Sequence, residues 1–271
     1  RMARGMAIVN LLHLEPDEKV RTLIQIDSFD QGGYLVIATE SGMVKRTALA
    51  DYSNLHKRGL IAVNLREGDR LVNSRLSNDN YDIILVTKMG MSIRFPESDV
   101  RATGRNTMGV RGIRLGKDDA VIGMIATDTD EPLLVITENG FGKRTRLSEY
   151  RVQNRAGKGL ITYRATKRTG RLVGVVQAGD TDDILLINDL GIIIRFRASE
   201  IPVLGRNTSG VTLMRSREGV VVDMSVVSSE DDEEHEPVNG LELPDDPYDE
   251  PLVSEDDEEY DQETEDEGDE S

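Results

Sequence analysis

The stretch Leu35-Val-Ile-Ala-Thr-Glu-Ser-Gly-Met-Val-Lys-Arg46 returns three more times along this chain. The later copies begin at Leu85, Leu134 and Leu185 and end at Arg94, Arg144 and Arg195. Their pivot glycines, Gly42, Gly90, Gly140 and Gly191, lie 48, 50 and 51 residues apart. A fixed period of this size indicates one supersecondary unit that is repeated, as in propellers and solenoids.

Each copy predicts a β-hairpin, because an apolar β-branched run is followed by a short glycine-containing turn and a second run. A second phrase, which contains Gly5, Gly59, Gly109, Gly159 and Gly210, lies between the hairpins. A third apolar strand is expected after each second phrase, at Val20–Ile26, Arg70–Leu76, Ala120–Ala126, Arg171–Gln177 and Val220–Val227. No segment keeps the helical apolar period for three turns. The sequence therefore predicts an all-β fold of four-stranded blades, each of about 50 residues.

The charge is divided very unevenly along the chain. Residues 230–271 contain 23 Asp or Glu and no Lys or Arg, whereas residues 1–229 hold all 33 cations against 27 acids. The net charge of −17 is thus the sum of a body of +6 and a strongly acidic tail. The tail has too few large apolar residues to fold alone and is predicted to be disordered. It is either a solubilising tail or a regulatory one.

Cationic residues recur in phase with the blades at three places, which are the end of each hairpin, the run into each second phrase, and the positions inside or just past that phrase. Candidate nucleic-acid contacts are Lys45, Arg46, Lys57, Arg58, Arg94, Arg105, Lys143, Arg144, Arg155, Lys158, Arg195 and Arg206. A surface that repeats one positive charge suits a long, regular polyanion, and the low aromatic content of 4% disfavours base stacking on single strands. Cations at strand ends also protect against edge-to-edge aggregation, which is the competing interpretation for any single residue.

Signals of catalysis or metal binding are missing from the sequence. The chain has no Cys, its three His are isolated, and none of its Gly-Lys pairs is followed by Ser or Thr as a phosphate-binding loop requires. No catalytic residue, metal site or cofactor site is predicted within this segment. No apolar run approaches the ~20 residues of a membrane helix, so no membrane partner is expected.

Several motifs together resemble the C-terminal domain of DNA gyrase A. They are Arg4-Gly-Met-Ala-Ile-Val-Asn-Leu-Leu12, Glu15-Pro-Asp-Glu-Lys19, Gly42-Met-Val-Lys-Arg46 and Gly104-Arg-Asn-Thr-Met-Gly-Val-Arg-Gly-Ile-Arg-Leu115. The resemblance covers about residues 1–228. The family's box, Gln-Arg-Arg-Gly-Gly-x-Gly, has no counterpart. The nearest text, Gln153-Asn-Arg-Ala-Gly-Lys-Gly159, lies in a later repeat and departs from the box at two positions.

The resemblance implies a six-bladed β-pinwheel whose blades exchange strands. About five blades are then expected over residues 1–229, incomplete at the N-terminus, followed by the disordered acidic tail 230–271. It also implies that duplex DNA wraps around a basic rim and so supports ATP-dependent negative supercoiling. The implied partners are the rest of gyrase A and gyrase B in an A2B2 holoenzyme. ATP and Mg²⁺ belong to that holoenzyme, which is expected in the bacterial cytoplasm on the nucleoid.

Two alternatives stay open from the sequence. The homologue of gyrase A in topoisomerase IV shares the repeat, although the Ile8-Val-Asn-Leu-Leu12 text favours gyrase. A propeller-like scaffold that binds proteins would have no nucleic-acid role. In the DNA-wrapping interpretation, Arg46, Arg144 and Arg195 contact backbone phosphates, so their replacement by Ala is expected to weaken binding about equally on unrelated sequences.

Deletion of residues 230–271 is expected to tighten DNA binding. A tethered polyanion acts at an effective concentration that can reach the millimolar range, and it would compete with DNA for the basic body. The gain should be largest at low salt and should shrink as the Debye length falls towards ~8 Å. DNA titrations at several salt concentrations measure the gain, with a charge-neutral tail of equal length as the control. If the neutral tail inhibits as well as the native one, the electrostatic explanation is wrong.

Overall fold

The structure is a computed structural model that describes residues 18–54, 59–215 and 219–227. The chain divides into two units, Arg1–Glu233 and Glu234–Ser271, and the described residues all belong to the first. The second phrase at Arg4–Leu12 and the acidic tail lie outside the described residues. In the part that is described, no helix is long and apolar enough to cross a membrane.

The described residues form fifteen strands. They are β1 (Tyr34–Thr39), β2 (Met43–Ala48), β3 (Leu71–Ser77), β4 (Asp82–Thr87), β5 (Met91–Pro96), β6 (Val110–Arg111), β7 (Val121–Thr127), β8 (Leu133–Thr137), β9 (Phe141–Thr145), β10 (Leu160–Ile161), β11 (Leu172–Gln177), β12 (Asp183–Asn188), β13 (Ile193–Arg197), β14 (Val211–Thr212) and β15 (Val221–Val227). A short 3₁₀ turn follows the second strand of each hairpin, at Leu49–Tyr52, Glu97–Asp99, Leu147–Glu149 and Ala198–Glu200.

These strands make four antiparallel sheets, which we number 1 to 4 along the chain. Their strand orders are β3-β1-β2-β6, β10-β5-β4-β7, β11-β8-β9-β14 and β13-β12-β15. The four predicted hairpins, β1–β2, β4–β5, β8–β9 and β12–β13, are confirmed, and so are the third strands β3, β7, β11 and β15. The prediction of an all-β, pinwheel-like fold is therefore confirmed.

The sheets exchange strands in a regular way. The two-residue strand β6 leaves its own unit and pairs with β2 of the unit before it, through Met43↔Arg111 and Val44↔Val110. In the same way β10 pairs with β5 and β14 pairs with β9. Each exchanged strand covers the outer edge of a hairpin, which would otherwise present unpaired N–H and C=O groups. The strand exchange expected from the family resemblance is thus present at all three of these junctions.

The core lies between consecutive sheets. One buried cluster joins Val36 and Val44 of sheet 1 to Leu85 and Phe95 of sheet 2. A second cluster lies between sheets 2 and 3, and a third between sheets 3 and 4. Burying such a side chain contributes about 1.5–3 kcal/mol. Each sheet is therefore stabilised mainly by its neighbours along the chain.

Two expected strands are absent among the described residues. Val20–Ile26 has no strand structure, and Leu23 is 84% exposed. The second phrase at 59–65 is also irregular, and Ile61 is exposed. In the four sheets, a third strand pairs with the hairpin before it and a second phrase pairs with the hairpin one unit earlier. Residues 1–33 contain no hairpin phrase, so these two segments have no such partner within this sequence. Described residues form four sheets, and the expectation of about five blades over 1–229 stays a prediction.

Gly140→Ala is expected to destabilise the domain more than Gly191→Ala. Both glycines have φ near +80°, where an L-residue costs about 1–2 kcal/mol. A Cβ at Gly140 would also lie 2.1 Å from the Met214 carbonyl oxygen, whereas no atom lies within 4 Å at Gly191. The overpacking should add about 1–3 kcal/mol. Urea denaturation of the two variants measures the difference, and equal losses would contradict the close docking of one unit on the next.

Candidate nucleic-acid interface

The hairpin arginines lie at the joints between consecutive sheets. Arg46, Arg94 and Arg144 form isolated parallel bridges with Ala102, Val152 and Val203, each of which belongs to the following unit. The backbone carbonyls of the three arginines accept hydrogen bonds from Thr103, Gln153 and Leu204 at 2.9, 2.8 and 2.8 Å. The in-phase arginine therefore marks the place where one unit is attached to the next.

The side chains of two of these arginines are also used across the joint. The Nε of Arg144 donates to the Ile201 carbonyl at 3.0 Å, and its guanidinium pairs with Asp180. Arg94 donates to the carbonyls of Leu147 and Tyr150 at 3.0 and 3.3 Å. Each of these carbonyls lies in or directly after the 3₁₀ turn that follows the hairpin of the next unit. Each arginine thus satisfies backbone acceptors at the end of a short turn.

At the joint between the first two units, the side chain of Arg46 contacts carboxylates and not backbone carbonyls. Its guanidinium pairs with Asp79, lies 3.6 Å from the buried Glu97 in the 3₁₀ turn after β5, and lies 4.3 Å from the Tyr34 ring centroid. Ser77 donates a hydrogen bond to the carboxylate of Glu97. Burying Glu97 would be costly without such partners, because an ionised carboxylate loses its hydration. The Arg46 side chain is therefore buried at the joint between the first two units.

The expected exposed row of hairpin cations is wrong for four residues. Lys45, Arg46, Lys143 and Arg144 are 1%, 7%, 0% and 3% exposed, respectively. The expectation failed because an arginine that is buried at every joint recurs in the sequence with the same spacing as an arginine that is exposed in every unit. Arg94 is half-buried, and Arg195 is exposed and paired with Asp183 at 2.6 Å. Lys57 and Arg58 lie outside the described residues.

The loop arginines reach back to the exchanged strands. Arg155 donates to the carbonyl of Arg111 in β6, and Arg206 donates to the carbonyl of Ile161 in β10 at 2.9 Å. Arg105 occupies the equivalent position one unit earlier, and all three arginines are half-buried. One guanidinium nitrogen of Arg155 and one of Arg206 therefore contact the outer edge strand, and both side chains are partly exposed.

A continuous outer belt follows from these contacts. Backbone hydrogen bonds run from Asn64 to the Thr107 carbonyl, from Arg114 to Gly157 and from Arg164 to Thr208, at 3.1, 2.8 and 3.2 Å. We call the segments 104–114, 154–164 and 205–215 the rim belt. Each loop in it is attached to the second phrase of the unit before. The exposed cations of the rim belt are Arg111, Arg114, Lys158, Arg164 and Arg215.

Three of these cations form an in-phase exposed row. Arg114, Arg164 and Arg215 each lie five residues after the glycine of the second phrase and are 50 and 51 residues apart. All three belong to the recurring cations just past the second phrase, at a fixed offset from Gly109, Gly159 and Gly210, but none was among the candidate contacts selected from the sequence. Lys158 and the half-buried Arg155 lie in the loop that holds Arg114, so positive charge is concentrated at this junction of the belt.

Within the described residues, no group of three or more His, Cys, Asp or Glu side chains is placed to hold a metal ion. A cleft near the belt is lined by Asp51 and the residues Gly104–Thr107.

Arg144→Ala is expected to destabilise the domain, whereas Arg146→Ala is not. Arg144 is buried and bonded to Ile201 and Asp180, and the loss of a hydrogen bond to a charged group costs about 1.5–3 kcal/mol. Arg146 is exposed two residues away, where a substitution typically changes stability by less than about 0.5 kcal/mol. Urea unfolding of both variants tests this pair. A stable Arg144→Ala domain would remove the joint role of the hairpin arginines.

Comparisons with known proteins agree with this architecture. The family model described as DNA gyrase C-terminal domain, beta-propeller, matches residues 33–78, 81–128, 131–178 and 182–228. The A subunit of DNA gyrase from Escherichia coli K12 is 42% identical over 260 residues, which are 95% of this chain and 30% of that protein. The gyrase A protein of Clostridium acetobutylicum is 47% identical over 237 residues, 87% of this chain and 29% of that protein. The chain thus spans about 30% of the length of these relatives.

Two solved structures share the fold. The C-terminal domain of DNA topoisomerase IV superposes with a TM-score of 0.80 at 30% identity, covering 84% of this chain and 72% of that one. A DNA gyrase A C-terminal domain gives a TM-score of 0.74 at 25% identity, covering 83% and 75%. With four matched repeats, sheets that exchange strands and these relatives, the chain belongs to the DNA gyrase C-terminal domain family.

Proposed function

We propose that this chain binds duplex DNA along its rim belt, bends it and wraps it, as the C-terminal domain of a gyrase A protein. The observation that carries the proposal is the exposed row of Arg114, Arg164 and Arg215, one per unit. Arg105, Arg155 and Arg206 extend the positive charge along the same belt. A duplex that follows the belt meets a similar cation at each unit.

The proposed contacts are with the DNA backbone. Each phosphate neutralised by Lys or Arg releases condensed counterions, which favours binding at low salt. The belt also carries backbone N–H groups of Gly-rich loops, which can donate to phosphate oxygens. Such contacts fix the path of the duplex without distinguishing its bases. The DNA sequence therefore affects affinity only through the energy needed to bend the duplex.

The activity of the whole protein goes beyond this chain, which spans about 30% of its relatives. We infer that wrapping supports ATP-dependent negative supercoiling by a holoenzyme of two A and two B subunits in the bacterial cytoplasm. ATP, Mg²⁺ and the DNA-cleaving tyrosine would come from other parts of that assembly. The pure chain is accordingly expected to cleave and relax no DNA, and Mg²⁺-dependent cleavage by it would contradict the proposal.

A second candidate is the equivalent domain of topoisomerase IV, which the TM-score of 0.80 favours. It would use the same backbone contacts. The two candidates are separated by joining this chain to a breakage-reunion domain and adding the B protein from the same source. ATP-dependent introduction of negative supercoils supports gyrase, and relaxation without supercoiling supports topoisomerase IV.

Replacing Arg114, Arg164 and Arg215 together by Ala is expected to weaken duplex binding about equally on two unrelated sequences. The slope of log affinity against log salt should become shallower by up to about 0.9 for each lost phosphate contact. Titrations of a labelled linear duplex at several salt concentrations measure both quantities.

The matched control is the triple replacement of Arg70, Arg75 and Arg171, which are exposed and lie on or beside the strands β3 and β11. It removes the same charge away from the belt, so it should leave the salt slope nearly unchanged. Equal losses from both triples would show that the general field, and not the belt, binds DNA. Undetectable binding of the unmodified chain at low salt, even after removal of residues 230–271, would favour a protein-binding scaffold.

A further inference from the structure

Two buried lysines hold the loops of the rim belt from inside. Lys45 in β2 and Lys143 in β9 occupy the same place in their hairpins, each directly before the joint arginine. Both are among the most deeply buried large side chains of the described residues. A buried ammonium is costly unless its three donors find acceptors.

The acceptors come mainly from the loop of the following unit. Lys45 Nζ donates to the carbonyls of Ala62 and Arg105. Lys143 Nζ donates to the carbonyls of Gly205 and Arg206 and to Thr208 Oγ1, the last at 3.1 Å. Each ammonium therefore turns carbonyls of a Gly-Arg-Asn-Thr loop inwards. We call Gly104–Thr107 and Gly205–Thr208 the clamped loops.

A glycine lets each clamped loop come close to the hairpin. A Cβ at Gly109 would lie 2.4 Å from the Val44 carbonyl oxygen and 2.8 Å from the Lys45 Cβ. A Cβ at Gly210 would lie 2.3 Å from the Gly142 carbonyl oxygen. The lysine and the loop that carries Arg105 or Arg206 thus form one packed assembly under the belt.

The unit between them provides a natural comparison. Ile93 stands directly before Arg94, where the first and third hairpins have lysine, and it is also buried. Its loop reads Asn154-Arg-Ala-Gly-Lys158 and contains Ala156 at φ +66°, so its backbone takes a different course. Where the ammonium is missing, the Gly-Arg-Asn-Thr sequence is missing too. The lysine and the loop sequence therefore belong together.

We propose that Lys45 and Lys143 are positioning residues whose protonated side chains hold the two clamped loops in the conformation that meets DNA. The inference rests on the proposed DNA binding and adds the requirement that both lysine side chains are protonated in the DNA complex. It assigns a role to lysines that cannot reach DNA themselves.

The surroundings of both lysines make this requirement testable near neutral pH. Burial lowers the pKa of Lys45 to about 8, with Asp51 opposing the shift and Arg105 adding to it. Burial lowers the pKa of Lys143 to about 8 as well, with Glu149 opposing and Arg206 adding. The ring of Tyr163 lies 5.8 Å from Lys143 Nζ. Phosphates bound beside Arg105 and Arg206 raise the pKa of each lysine, since they favour the charged form.

The sign of the pH dependence follows from that shift. Above about pH 8 the free domain loses protons that the DNA complex retains, so binding takes up protons and affinity falls as pH rises. Each lysine lowers the affinity by up to about tenfold per pH unit in this range. The stability of the folded domain changes with pH in the opposite direction. The unfolded lysines, with pKa values of 10.5, hold more protons than the folded ones, so their contribution to stability rises with pH.

The decisive experiment is calorimetric titration of the chain with linear duplex DNA at about pH 8.5, in two buffers of different ionisation enthalpy. The difference between the buffers gives the protons taken up, expected at up to about 1.5 per domain because each lysine with a pKa of about 8 is roughly three-quarters deprotonated at this pH. The Lys45→Met, Lys143→Met variant should abolish most of that uptake and flatten the decline of affinity between about pH 7 and about pH 9. The difference between the two proteins excludes the α-amino group, which titrates in the same range.

Lys158→Met is the matched control, because Lys158 is an exposed lysine of the unclamped loop. It should weaken binding and leave proton uptake unchanged. Binding without proton uptake in the unmodified chain overturns the proposal even if the double variant does not fold, and it leaves the proposed DNA binding intact. Uptake that persists in a folded double variant overturns it as well. Absence of any DNA binding at low salt defeats both proposals together.

Discussion

The open edge of each hairpin is the constraint on which the structure depends. The second strand of a β-hairpin presents unpaired backbone groups, and a repeated array would place one such edge in every unit. Here the edges of β2, β5 and β9 are covered by two-residue strands from the next unit. The covering strand must leave its own sheet, so the loop before it crosses the joint. The joint arginines, the glycines at close approach and the rim belt all follow from that crossing.

Local features of the fold could be predicted from the sequence. The hairpins follow from β-branched runs around a glycine turn, and β3, β7, β11 and β15 follow from apolar runs of strand length. These signals depend on residues a few positions apart. The irregular structure of residues 59–65 could not be predicted in this way, because their sequence resembles that of β10. Only the lack of a hairpin one unit earlier in this sequence distinguishes the two segments.

The location of the charges was harder to predict. Arg144 and Arg164 recur with the same period, yet the first lies between sheets and the second on the belt. Lys143 in a strand suggests a protective edge charge, but its acceptors lie 62 to 65 residues further along the chain. Period gives the number of equivalent places, whereas burial is decided by which unit covers the strand. Candidate binding residues that share a period must therefore also be sorted by their position within the repeat unit, because that position decides which of them are exposed.

Strand exchange also sets the order in which the chain can fold as it leaves the ribosome. Sheet 1 is completed by Val110–Arg111, about 60 residues after the end of β2, once the hairpin of sheet 2 has been synthesised. Each sheet thus waits for the following unit, and long-range closures of this kind slow folding because loop entropy is lost before contacts are gained. Because the covering strand is always synthesised after the hairpin it covers, the newest hairpin has an exposed outer edge during synthesis. That edge is the part of the nascent chain most prone to pairing with a neighbouring polypeptide, until the next unit arrives to cover it.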